Sequence, residues 1–245
     1  MLETITRKTM LYKPSLPGMD YAMNPVLGCS HGCRYPCYAW LMARRFGKVK
    51  SFSEWTRPIL VENTLELLEK ELKKWHGRIQ NVHLCLTTDP FMYRQPEIGR
   101  LSLASIRRIN QSGIPCAVLT KGVLPAELAE LDERNRYGIS LISLSEEFRG
   151  HWEPGTAPYA ERIAALRALH EQGCRTWVHI EPYPTPNIFA QNIDELLEAV
   201  AFASEIDFGR WNYNPVVNQF PDAAGFYQAM RARVADFCRE HGIRF

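Results

Sequence analysis

The chain lacks any run of about eighteen apolar residues, so no membrane-spanning helix is expected. Its opening, Met1 to Lys8, lacks the apolar centre of a secretory leader, which makes a cytoplasmic location the expectation. An excess of charge is missing too: 29 Lys+Arg against 27 Asp+Glu leave a formal net charge of +2. That is no footprint of a dedicated nucleic-acid binder, although a local basic groove stays open. Arg44, Arg45, Lys48, Lys50, Arg107 and Arg108 could form one, but most charge runs are solvated faces. There is no low-complexity stretch, no fixed-period repeat and no Gly/Ser linker, hence nothing that divides the 245 residues into separate domains. A chain of this length suits a single α/β barrel. Its 46% apolar and 23% charged residues exclude a disordered or fibrous protein.

Cysteine is present but unevenly placed, at 29, 33, 37, 85, 116, 174 and 238. In a reducing compartment, three thiols within nine residues indicate metal binding or catalysis rather than a disulfide. Cys85, Cys116 and Cys174 lie in or beside expected strands, and Cys238 shares a helix with Val234. All four read as small buried apolar residues.

From residue 80 onward, β-rich runs alternate with helical patterns. Strands are expected over 81–87, 115–120, 137–145, 176–181 and 208–213, with 21–28 as the first of all. Helices are expected over 38–46, 64–75, 101–112, 125–133, 158–172, 193–205 and 222–241. This order implies βαβ units and a parallel sheet with right-handed crossovers. About six strands are too few for a closed eight-stranded barrel, and pattern alone leaves an open doubly wound sheet almost as good a fit. Either way, the chemistry belongs at the C-terminal ends of the strands.

The segment Gly28-Cys29-Ser30-His31-Gly32-Cys33-Arg34-Tyr35-Pro36-Cys37-Tyr38-Ala39 follows the first expected strand. A four-residue spacing could place the cysteines on one helix face, but two internal glycines and Pro36 oppose a helix and favour a loop around a metal centre. A structural zinc site needs four ligands, and His31 could supply the fourth. A cubane held by only three thiolates leaves one iron open to a ligand.

The run Asn24 to Ala39 resembles the cluster loop of radical S-adenosylmethionine enzymes, in particular the spore photoproduct lyase and DNA repair photolyase-like branch. The resemblance continues through Thr87-Thr88-Asp89-Pro90-Phe91, Gln95-Pro96-Glu97, Leu119-Thr120-Lys121, the stretches Ile139 to Ser143 and Glu146 to Phe148, and Glu153-Pro154-Gly155. It covers roughly residues 20 to 215. It departs in one respect: both gaps between cysteines are three residues, because Pro36 is inserted before Cys37. One residue adds only about 3.5 Å of reach, so the loop can still wrap a cubane.

The resemblance implies a partial (β/α)6 TIM-type barrel as a single domain over 1–245, with a C-terminal helix, 222–241, packed on it. It implies that Cys29, Cys33 and Cys37 hold a [4Fe-4S] cluster whose fourth iron binds S-adenosylmethionine. Reduction by a flavodoxin- or ferredoxin-type partner would then yield a 5′-deoxyadenosyl radical. Tyr35 and Tyr38 are both candidates for the aromatic beside the adenine. Thr87, Thr88 and Asp89 would meet the methionyl amino group, for which their oxygens are suitable acceptors. Lys121 would pair with the methionyl carboxylate, and Ser143 or Ser145 would reach the ribose.

Trp177, His179, Glu181 and Tyr183 alternate and so share one strand face. An inward face would make His179 and Glu181 an ion-pair or proton-transfer couple near the substrate. Trp211, Asn212, Tyr213 and Asn214 could close the pocket. Lyases of this branch use a thiol just ahead of the Ser/Thr-Asp block as hydrogen donor. Leu86 holds that position here, with Cys85 one residue away and by alternation on the other face, which counts against lesion repair itself. The substrate stays unidentified: nucleic acid is possible but unsupported by charge, and a non-catalytic iron–sulfur or zinc sensor is the other alternative.

Overall fold

A computed structural model describes residues 2–16 and 18–245. Among the described residues there are ten strands: β1 Glu3–Ile5, β2 Leu11–Tyr12, β3 Tyr21–Met23, β4 Val26–Leu27, β5 Ile59–Val61, β6 Val82–Leu84, β7 Cys116–Thr120, β8 Arg136–Ser140, β9 Arg175–Tyr183 and β10 Glu205–Arg210. Eight α-helices join them: α1 Tyr38–Arg45, α2 Phe52–Trp55, α3 Thr64–Lys74, α4 Pro96–Asn110, α5 Glu146–Trp152, α6 Tyr159–Glu171, α7 Ile193–Ala199 and α8 Ala223–His241.

The main sheet runs β10-β9-β8-β7-β6-β3-β2, with β3 and β6 to β10 all parallel and β2 antiparallel at one edge. Six parallel strands with intervening helices form the partial barrel, and the doubly wound alternative is set aside because strand order follows chain order without reversal. In a second sheet, β1-β5-β4, neither β1 nor β5 has an expectation in the sequence, because strands of three residues carry no measurable alternation.

The pleat gives the main sheet two chemically distinct faces. Met23, Val82, Leu84, Val118, Tyr137, Ile139, Val178, Ile180 and Ile206 are buried in the core. They occupy alternate positions on their strands and carry the helices. The strand registers place Ala22, His83, Ala117, Arg136, Gly138, Trp177, His179, Glu205 and Asp207 on the other, inner face. A parallel strand buried on both sides would read as continuously apolar. Here the polar inner face marks a lumen.

Several expected boundaries move for local reasons. The strand expected over 21–28 breaks at Asn24-Pro25 into β3 and β4, which belong to different sheets. Pro25 has no N–H for a ladder, while Asn24 Nδ2 donates to Tyr12 Oη and Asn24 Oδ1 accepts from Thr87 N–H. The helix expected over 125–133 is a 3-10 turn, Ala126–Glu130. The strand expected over 137–145 ends at Ser140, and Ser145 instead caps α5, its hydroxyl accepting from Phe148 N–H. The helix expected over 193–205 stops at Ala199, and the strand expected over 208–213 begins at Glu205. Glu205 and Asp207 alternate with buried Ile206 and Phe208, so two acidic residues disguised a strand whose charged side faces the lumen.

Candidate functional site

The cysteine loop connects β4 to α1 at the C-terminal mouth of the barrel. Gly28 and Gly32 take left-handed backbone angles, φ +83° and +55°, so the segment is a loop, and Cys37 is the residue from which α1 starts. Distant segments hold it: Cys29 N–H donates to Trp55 O (2.8 Å), Arg34 N–H to Trp152 O (2.8 Å) and Gly155 N–H to His31 O (3.0 Å). A side chain at Gly155 would put its Cβ 2.4 Å from Ser30 O, so only glycine lets the 153–157 turn seat against the loop. That gives a physical reason for the Glu153-Pro154-Gly155 block.

Cys29, Cys33 and Cys37 are all free thiols, half-buried, and act on one another electrostatically. Burial, then Glu153, pushes the Cys33 thiol up to about 12, with Lys121 opposing. Among the described residues no three His, Cys, Asp or Glu side chains lie close enough to share one metal ion. His31 is also unavailable as a fourth ligand. Its Nε2 accepts from Tyr93 N–H (2.9 Å), and Nδ1, which must then carry the proton, faces Asp89 Oδ2 at 3.5 Å. Burial holds this imidazole neutral, its pKa down to about 4. The side chain that could have completed a Cys3His set is therefore engaged within the protein. Three thiols with no protein group ready as a fourth do suit an iron–sulfur cubane with one open iron.

Asp89 has its oxygens occupied within the protein. Oδ1 accepts from Thr120 Oγ1 (2.6 Å) and Phe91 N–H (2.9 Å), and Oδ2 accepts from Lys121 N–H (2.7 Å). It ties the end of β6 to the end of β7 and to His31. Thr87 and Thr88 are half-buried beside it, and Thr88 Oγ1 is buried without a hydrogen-bond partner.

The two tyrosines separate clearly. Tyr35 is buried, donates to Glu153 Oε1 (2.9 Å) and packs edge-on against Trp211 at 5.5 Å. Tyr38 is 49% exposed at the mouth, with Cys37, Cys85 and Glu181 near enough to act on its hydroxyl. Lys121 Nζ lies 3.9 Å from Glu153 Oε1 and 5.9 Å above the Tyr35 ring. Ser143 is buried, its hydroxyl accepting from Ser145 N–H (3.1 Å).

Cys85 departs from the alternation argument. Strand β6 ends at Leu84, and Cys85 has φ +63°, so pleat parity does not carry through to it or to Leu86. It is buried close to Thr88, Asp89 and Arg7. Trp211 and Tyr213 also differ from expectation. Trp211 is core, against Tyr35, Phe148 and Trp152, while Tyr213 is exposed. Only Asn212 reaches the inner wall, donating to Glu181 Oε1 at 3.3 Å.

On that wall His179 stands between two carboxylates, Nε2 3.6 Å from Glu181 Oε2 and Nδ1 3.8 Å from Asp207 Oδ2. Asp207 and His83 are members of the site that sequence reasoning missed. Asp207 was hidden by the misplaced strand boundary. His83 sits on the same face as Trp177, ring centroids 6.5 Å apart, and burial, then Arg136 and His179, lower its pKa to about 4. Because the folded-state value lies below the ordinary 6.5, His83 contributes stability that is fully present above pH 6.5 and is lost as pH falls toward 4. His83→Asn is expected to remove up to about 3 kcal/mol of the acid sensitivity in that window. Denaturant melts at pH 7 and pH 4.5 check this, and an unchanged pH slope would contradict it.

The fold is a partial parallel barrel with a three-thiol loop at its mouth. The chain belongs to the Radical SAM superfamily, whose profile matches residues 23–202. It is similar to an uncharacterized protein of Acidianus two-tailed virus, 26% identical over 190 residues that cover 74% of this chain and 61% of the relative. In fold it resembles spore photoproduct lyase complexed with dinucleoside spore photoproduct, with TM-score 0.63 and 19% identity over 89% of this chain and 64% of that one. It also resembles a radical S-adenosylmethionine methyltransferase of Kitasatospora setae with cobalamin and a [4Fe-4S] cluster bound, with TM-score 0.53, 16% identity and 77% and 34% coverage. The chain spans less than two thirds of the length of the curated relatives it matches. No helix among the described residues is long and apolar enough to cross a membrane.

Proposed function

We propose that the chain, acting as one unit, binds a [4Fe-4S] cluster through Cys29, Cys33 and Cys37 and S-adenosylmethionine at the open iron, to abstract hydrogen from a substrate in the barrel. The observation that carries this reading is three free thiols at the mouth with His31 committed to Tyr93 and Asp89. When bound and reduced by a low-potential flavodoxin- or ferredoxin-type partner, the cluster would supply the electron for cleavage of S-adenosylmethionine to methionine and a 5′-deoxyadenosyl radical.

The chain's own residues position and shield the reactants. The Thr87 and Thr88 hydroxyls meet the methionyl amino group, supported by the unpartnered Thr88 Oγ1. Asp89 contributes by fixing that turn rather than by direct contact, since its oxygens are already used. Lys121 faces the methionyl carboxylate. Tyr38 is the aromatic beside the adenine, since Tyr35 is held by Glu153 and Trp211. Ser143, whose hydroxyl hydrogen is still free to donate, faces the ribose. His179 and Glu181 line the substrate side, where the imidazole can hold or pass a proton.

Anaerobic reconstitution is expected to give a brown protein with about four irons per chain. Dithionite with S-adenosylmethionine should then release 5′-deoxyadenosine. A full iron complement without any release would overturn the catalytic reading.

A further inference from the structure

The inner wall formed by β9 and β10 carries a net negative charge that the proposed radical chemistry does not require. Glu181 and Asp207 sit on neighbouring strands, their side chains 35% and 43% exposed toward the lumen. Among the described residues neither carboxylate has a Lys or Arg partner. The only charged group between them is His179, and even protonated it leaves the pair one negative charge in excess. The cations of this face are spent lower in the barrel, where Arg136 and Arg244 both pair with Glu205. Glu181 also lies in a built recess: a Cβ on Gly209 would stand 2.0 Å from its Oε2, so the adjacent strand leaves space for this carboxylate.

A second observation is independent of the acids. His83 is 6% exposed, stands on the same inner face and is held neutral, yet its ring has no hydrogen-bond partner among the described residues. On the same wall His179 Nδ1 and Trp177 Nε1 are buried atoms without a hydrogen-bond partner, and such atoms are costly unless a ligand or water satisfies them. Trp177 lies between the His83 and His179 rings and offers an apolar surface to a hydrocarbon stem.

We infer that this wall recognises a substrate bearing a protonated amine, not a phosphodiester. An ammonium has three donors and no acceptor. Glu181 and Asp207 supply anionic acceptors for it, and neutral His83 supplies a third deeper in the lumen. A phosphate here would meet a carboxylate pair with at least one negative charge in excess, a like-charge arrangement that disfavours binding. The inference rests on the radical-generating reading of the barrel mouth, and it names the substrate class for that site.

The test is calorimetric titration of the iron-loaded chain with S-adenosylmethionine present. The probes are 1,4-diaminobutane, its neutral analogue 1,4-butanediol, the dianion succinate and a thymidine dinucleotide. The diamine is expected to bind at least about tenfold more tightly than the diol, as a charge-assisted hydrogen bond warrants, and the two anions to bind more weakly still. Asp207→Asn should lower the diamine affinity about tenfold, and Asp207→Lys should shift the preference toward succinate. The wild-type comparison stands even if a variant fails to fold. Diamine binding no tighter than diol binding, including no binding of either, overturns the inference, as does preference for the dinucleotide. Release of 5′-deoxyadenosine by the same wild-type sample without added probe separates the two failures. Release without amine preference removes only the substrate class, whereas amine preference without release removes only the radical chemistry.

Discussion

Cys33→Ala is expected to reduce 5′-deoxyadenosine release to background and to leave the chain unable to retain about four irons. The loss should exceed the 10–100-fold typical of removing an outer partner of a metal site. The reason is the lack of any substitute. Cys29 and Cys37 are already committed, both nitrogens of His31 are in use, and Glu153 is held by Tyr35, Tyr159 and Arg162. A contrasting pair of variants makes the result specific. Cys116 and Cys238 are 2% and 1% exposed inside the core, away from the loop. Cys116→Ala and Cys238→Ala should each cost about 1 kcal/mol of stability and leave iron content unchanged. Iron analysis with product assay decides it. Full iron retention by Cys33→Ala would show that the three thiols do not act together.

The second large effect falls on a residue that makes no contact with any expected ligand. Glu153 is fully buried, its Oε2 3.2 Å from the equally buried guanidinium of Arg162 and its Oε1 3.9 Å from Lys121 Nζ. Tyr35 and Tyr159 both donate to it. Glu153→Ala strands Arg162 in the core without its counter-charge, and breaking one side of a buried pair costs about 3–5 kcal/mol. At about 2–4 °C per kcal/mol for a chain of this size, the melting temperature should fall by about 6–20 °C. The loop should loosen with it, because Tyr35 lies between Cys33 and Cys37.

The same carboxyl has a pH signature. Burial alone would raise its pKa, but Arg162, Lys121 and the two tyrosines outweigh burial and hold it below the ordinary value. Its stabilising contribution is therefore present above the unfolded-state pKa of about 4.3 and is lost as pH falls through the lower folded-state value. Glu153→Gln keeps much of the hydrogen bonding and should flatten this acid limb. A Glu153→Ala melting temperature within a degree or two of wild type would refute the account.

These two predictions differ in how far the sequence leads to them. The thiols announce themselves: three cysteines in nine residues, broken by glycines and Pro36, can be recognised without knowing what lies nearby. The long helix α3 is equally legible, because its apolar period repeats over three turns. The short strands are not. Two or three residues show no period, and in β10 the acids that line the lumen look like a break in the pattern.

Glu153 was visible only as part of a block, with no hint that it anchors a buried charge network. Tyr35 and Tyr38 were indistinguishable by spacing, and His31 was a reasonable fourth ligand until Tyr93 took its free nitrogen. Alternation puts Cys85 on the face opposite Leu86, a rule that lapses at its positive φ.

The sequence by itself determined the alternation of the six parallel strands of the main sheet with helices, the placement of the three thiols in a loop, and the position of His179 and Glu181 on one strand face. Each of these depends on residues within a few positions of one another. The tertiary structure decided which groups are free to meet a ligand. Tyr35 is satisfied by a residue 118 positions away and His31 by one 62 positions away. Asp89 is satisfied across 31 and 32 positions by Thr120 and Lys121. Whether a buried polar atom is already paired depends on contacts across the barrel, and no local spacing encodes them.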